Sequence, residues 1–163
     1  MLYRSNSTTE TVKEWKIRGD LFVIYLCKRT AQKGYGYMKL ELGMTGEATT
    51  TVVHENTAAA VGAGGVEVFG TPMMIALMEN AAWRAVAASL DEGDVTLGVL
   101  VNVQHLGATP LGQQVRATAE LAEIDGRRLV FKVEAYDEHQ KIGEGQHERV
   151  IVNLERFLSR LPK

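Results

Sequence analysis

The chain has 163 residues, 45% apolar and 23% charged, with a formal net charge of −2. That length suffices for one domain with a sizeable core, and the charge balance makes no case for nucleic acid as a partner. The single cysteine, Cys27, excludes an internal disulfide framework and fits a reducing, cytoplasmic compartment.

Residues 1–37 read as an N-terminal extension. They carry seven Lys and Arg against three Asp and Glu, a net of +4 that leaves −6 for the remainder. Residues 5–9 are loop-like, and residues 34–37 form a flexible joint. Residues 21–27 are an apolar, strand-like run, too short to span a bilayer and followed by no small-residue cleavage site. The extension is expected to be an accessory piece, one arising from an upstream start, or an arm or added strand covering a sheet edge. Residues 38–163 form the main domain.

Residues 46–53 are β-branched and predict a strand. Residues 54–65 are dominated by glycine and small side chains, which predicts a mobile loop or short helix. Residues 70–90 are the central element. Thr71 is placed to cap a helix, Pro72 suits the first helical position, and Asp91-Glu92-Gly93-Asp94 forms a polar stop. Between them runs Ala, Met, Leu, Ile and Val with little polar face, so the helix should be buried on most sides. Glu79 is the anomaly: an ionised carboxylate there costs several kcal/mol unless it is paired or hydrogen-bonded.

Strands then dominate. Residues 96–106 suit a central strand, and Gly107–Gly112 break it, written residue by residue as Gly-Ala-Thr-Pro-Leu-Gly. Residues 115–124 alternate at period two, Asp125-Gly126 signals a hairpin, and residues 128–137 alternate again. Residues 142–154 make the last strand and residues 155–161 a short helix. The expected order is strand, loop, one long helix and four antiparallel strands joined by consecutive hairpins, an α+β architecture. One sheet covers one side of such a helix. The other side needs a partner, so a homodimer or higher oligomer is expected.

That order, with a helix of this composition, resembles the hotdog fold, one long central helix on a curved antiparallel sheet. Residues 38–163 are more specifically similar to the fluoroacetyl-CoA thioesterase family. The similarity rests on Val68-Phe69-Gly70-Thr71 with Leu77-Met78-Glu79, on Leu97-Gly98 with Val103-Gln104-His105 and Ala108-Thr109-Pro110, on Asp125-Gly126-Arg127-Arg128-Leu129, and on Gly145-Gln146-His147-Glu148-Arg149 with Asn153-Leu154-Glu155-Arg156-Phe157. The resemblance implies hydrolysis of a short acyl-CoA thioester, with Thr71, Glu79 and His105 catalytic and Gly98 and Arg149 at the substrate. It implies no cofactor beyond the coenzyme A of the substrate itself. One departure stands out. The family's fluoroacetyl-CoA enzyme covers the acyl group with a pair of phenylalanines, and the matching positions here are Gly62 and Gly65.

The residue types fit that chemistry. A carboxylate can activate water or attack the thioester, and a histidine can move a proton to the leaving thiolate. Glycine at position 98 lets backbone approach a ligand closely. Thr71 and Glu79 lie eight residues apart on one helix, roughly 12 Å along its axis. They cannot touch within one chain, so composite sites between protomers are expected. Arg149 has Glu144 and Glu148 nearby as plain ion-pair partners. Arg127 and Arg128 fall in a hairpin turn, as a solvated face or, second, as contacts for the phosphates of coenzyme A. His54, His139 and His147 have no comparable support, and no cluster has metal-ligand spacing. The rival readings are a hotdog hydratase or dehydratase and a non-catalytic acyl-CoA-binding module.

Overall fold

The computed structural model describes residues 11–17, 20–26 and 40–162. The chain divides into two compact units, Met1–Gly36 and Tyr37–Lys163. In the first, β1 (Thr11–Ile17) pairs antiparallel with β2 (Asp20–Leu26) as a two-stranded sheet of its own. The loop expected at residues 5–9 and the joint at 34–37 lie outside the described residues.

The second unit holds β3 (Thr45–Thr51), α1 (Thr71–Val86), β4 (Asp94–His105), β5 (Gln114–Asp125), β6 (Arg128–Tyr136), β7 (Lys141–Asn153) and α2 (Leu154–Leu158). The five strands form one antiparallel sheet in the order β3-β5-β6-β7-β4. Period-two alternation turns Val115, Ala117, Ala119 and Leu121 of β5 and Leu129, Phe131, Val133 and Ala135 of β6 onto one face. α1 lies across that face, closing the core with Met74, Met78, Ala81, Ala82 and Val86. Fully burying a side chain such as Leu121 or Leu129 stabilises the fold by about 1.5–3 kcal/mol. Gly46 of β3 is where helix and sheet come closest. A Cβ there would run into the α1 backbone at Ala81 and Ala85.

Three expectations are corrected. The last four strands are not joined by consecutive hairpins: β5-β6-β7 are, but β4 crosses over to pair with β7 and stands at the sheet edge. Its side chains Val99, Leu100 and Val101 are exposed, so its apolar run does not mark a central strand in the single chain. In the single chain α1 keeps one open face, the side for which a partner is expected. Thr71, Pro72, Ala76, Asn80 and Trp83 face outward, because one sheet covers one face only. Finally, Thr71 is not the cap. Gly70 takes that position, and the Thr71 hydroxyl is engaged elsewhere.

Candidate active site

The start of α1 is held against the end of β4. Phe69 N–H donates to Thr109 O at 2.8 Å, Val68 bridges Pro110, and Gly70 N–H donates to Asn56 O at 3.0 Å. Asn56 is itself fixed to β3, its side-chain amide donating to Thr51 O at 2.9 Å. Gly70 fits here because a Cβ would press on Ala58 N and Val61 Cγ2, both at 3.2 Å. The segment that pins α1 thus begins just after His105. In consequence Thr71 Oγ1 lies 2.8 Å from His105 Nδ1. The other ring nitrogen, Nε2, is buried with no hydrogen-bond partner among the described residues. An unmet buried polar atom costs about 1–3 kcal/mol.

Glu79 lies two turns further along α1, against different residues. A Cβ at Gly98 would come within 2.9 Å of Glu79 Oε1 and 3.0 Å of His147 Cε1. Gly98 opens a register shift in the β4–β7 pairing, where Val99 is the extra residue. Arg149 approaches from β7. Its Nη1 is 3.8 Å from Glu79 Oε2 and donates to Glu79 O at 3.4 Å. The guanidinium is buried and held by Thr96, its Nε donating to the hydroxyl at 2.9 Å and its Nη2 to the carbonyl at 2.8 Å. Burial lowers the Arg149 pKa, and the Glu79 charge opposes that shift. The plain ion pairs available to Arg149 are taken by others: Glu148 binds Arg128 through two bonds of 2.7 and 2.6 Å, and Glu144 binds Lys141 at 2.9 Å. In the single chain the Glu79 side chain is 39% exposed, with its carboxylate beside Gly98 and Arg149.

His147 belongs to this cluster, though its sequence context offered no support for it. It is buried, with Nδ1 2.8 Å from Leu100 O and Nε2 3.1 Å from Arg149 Nη1. Arginine can only donate, so Nε2 accepts and Nδ1–H donates to Leu100 O just beyond the bulge. That arrangement requires neutral imidazole, and burial accordingly pushes the His147 pKa down. The signal was present: residues 147 and 149 share one face of a strand, so an inward Arg149 implies an inward His147.

One chain therefore brings Thr71 to His105 and Glu79 to Gly98, Arg149 and His147, but it does not bring the two groups together. Gly98 and His105 are seven residues apart on β4, roughly 23 Å of extended strand. Gly62 and Gly65 lie in the exposed loop before α1, with open space where a Cβ would stand. Gly62 has φ +73°, a conformation that would strain an aromatic side chain. Among the described residues no group of three or more His, Cys, Asp or Glu could hold a metal ion, and no helix is long and apolar enough to cross a membrane.

Residues 52–155 match the model of the fluoroacetyl-CoA-specific thioesterase family. A curated relative, the fluoroacetyl-CoA thioesterase of Streptantibioticus cattleyicolor, is 47% identical over 91 residues, which are 56% of this chain and 66% of that protein. A solved structure of a fluoroacetyl-CoA thioesterase superposes with a TM-score of 0.70 at 36% identity, covering 76% of this chain and 98% of the other. A Thermus thermophilus member of the thioesterase superfamily superposes with a TM-score of 0.68 at 30% identity, covering 73% and 88%.

Proposed function

The chain belongs to the fluoroacetyl-CoA-specific thioesterase family, and from that membership we propose that it hydrolyses a short-chain acyl-CoA to the free acid and coenzyme A. The observation that carries this reading is the pair of clusters at the two ends of one helix segment, Thr71–His105 and Glu79–Gly98–Arg149. Each holds part of what thioester cleavage needs. The Glu79 carboxylate takes a proton from water as it attacks the carbonyl, or attacks directly to give an anhydride that water then opens. A backbone N–H at the Gly98 bulge would serve as donor to the developing oxyanion. The carbon–sulfur bond breaks, and His105, oriented by Thr71, delivers the proton to the leaving thiolate.

The two clusters meet across a two-fold axis. An antiparallel pairing of exposed β4 edges centred between Val101 and Asn102 sets Gly98 opposite His105 of the partner subunit. The same symmetry centred on Ile75 sets Glu79 opposite Thr71 of the partner subunit. The edge residues Val99, Leu100 and Val101 and the open face of α1 are what such a pairing would cover. Glycine at 62 and 65 cannot build the aromatic pair over the acyl group. Selectivity for the fluorinated acyl group accordingly does not carry over, and the substrate is a small or medium acyl thioester. No further cofactor is required, and a soluble, cytoplasmic setting fits the single cysteine.

A thiol-release assay over short acyl-CoAs tests the reading. Glu79→Gln is expected to lower kcat by 10²-fold or more, and His105→Ala by at least tenfold. Full turnover by Glu79→Gln would overturn it. Binding without thiol release from any substrate would favour the acyl-CoA-binding module, and water addition to an enoyl thioester the hydratase.

A further inference from the structure

The two arginines of the β5–β6 turn have different fates. Arg128 is locked to Glu148 and also reaches Glu123 at 3.3 Å. Arg127 makes no side-chain hydrogen bond or ion pair among the described residues. Instead it lines a cavity of about 260 Å³ together with Arg156, Arg160, Val152, Asn153 and Phe157. Arg156 and Arg160 are likewise unpaired among the described residues. The grouping is built by backbone contacts. Ile151 N–H donates to Arg127 O at 2.8 Å, tying the turn to the end of β7, and the Asn153 side chain accepts from Arg156 N–H at 3.2 Å, starting α2. Three guanidinium groups around one concavity repel one another unless an anion sits among them. Arginine's forked donors match phosphate oxygens, and the Phe157 ring offers an apolar wall suited to a nucleobase.

We propose that Arg127, Arg156 and Arg160 form the subsite that holds the phosphate groups of the substrate's coenzyme A. The proposal rests on the thioesterase reading above and adds where the nucleotide end binds. Val152 and Asn153 lie three and four residues beyond Arg149 on β7, roughly 10–13 Å along the strand. An extended pantetheine arm bridges that separation between a thioester at Glu79 and phosphates at the arginines.

The test compares acetyl-CoA with S-acetyl-N-acetylcysteamine, a thioester without phosphates, using single and triple Arg→Gln variants at 127, 156 and 160. Each single change is expected to raise KM for acetyl-CoA about two- to fivefold, as for an exposed charge pair, and the triple change at least tenfold. kcat should stay as in the wild type, and kinetics on the phosphate-free thioester should not change. Adenosine 3′,5′-bisphosphate should compete with acetyl-CoA in the wild type. Inorganic phosphate at the same concentration should not, which separates the nucleotide from a free phosphate ion. Binding of free coenzyme A by calorimetry reads the subsite even if acetyl-CoA is not turned over. The wild type should weaken steeply with salt, and the triple variant should bind at least tenfold more weakly. Equal coenzyme A binding by wild type and triple variant, or an equal loss on both thioesters, would overturn the proposal.

Discussion

Replacing Gly98 by alanine perturbs the site through a single methyl group. The new Cβ would stand 2.9 Å from Glu79 Oε1, 3.3 Å from Glu79 Cδ and 3.0 Å from His147 Cε1. The imidazole cannot give way, because Leu100 O holds one nitrogen and Arg149 the other. The carboxylate sits at the end of a rotatable side chain, so it moves. Overpacking of this kind costs about 1–3 kcal/mol, which lowers Tm by roughly 2–4 °C per kcal/mol for a chain of this size. Displacing the reacting carboxylate by about 1 Å lowers turnover by about 10²-fold. Thiol release under saturating substrate, read beside a thermal melt, separates the two effects. A Gly98→Ala enzyme that keeps wild-type kcat would refute the reasoning.

Other outcomes follow from the same geometry. His147 is held neutral, with its pKa pushed below the ordinary histidine value by burial. Its contribution to stability is therefore full above the unfolded pKa of about 6.5 and lost as pH falls through the lower folded value. Chemical denaturation across that range should show wild type losing stability on acidification relative to His147→Gln; parallel profiles would contradict the assignment. Arg149→Lys cannot reproduce the paired bonds to Thr96, and should cost about 1–3 kcal/mol by denaturant midpoint while lowering activity. Lysine at Val99 and Val101 should block edge pairing of β4. Sedimentation should then report a folded monomer with at least 10²-fold less activity, and a fully active monomer would rule out composite sites.

What the sequence made legible was local. The α1 boundaries, the Gly93 turn, the Asp125-Gly126 hairpin and the alternation of β5 and β6 depend on neighbours within a few residues, and each is found close to where its residues place it. The position of β4 depends on a crossover. A run that is apolar on both faces reads the same whether its cover comes from its own chain or from another, so the edge placement was hidden. The same holds for Glu79, whose exposure follows from one sheet covering one face of α1. The pairing of Thr71 with His105 depends on the contacts of residues 68–69 with 109–110, which no local pattern announces. The role of His147 arises only where β7 pairs with β4 beside the Gly98 bulge, which its neighbours in sequence do not announce.

The division of the machinery between the two ends of α1 reaches beyond a single molecule. If each centre draws its acid from one chain and its threonine–histidine pair from the other, two differently disabled chains can rescue each other. Mixed with refolding, Glu79→Gln and His105→Ala would share one intact centre in each hybrid, recovering turnover that neither shows alone. A duplicated gene would be free to lose opposite halves in its two copies, leaving an obligate pair of unlike subunits.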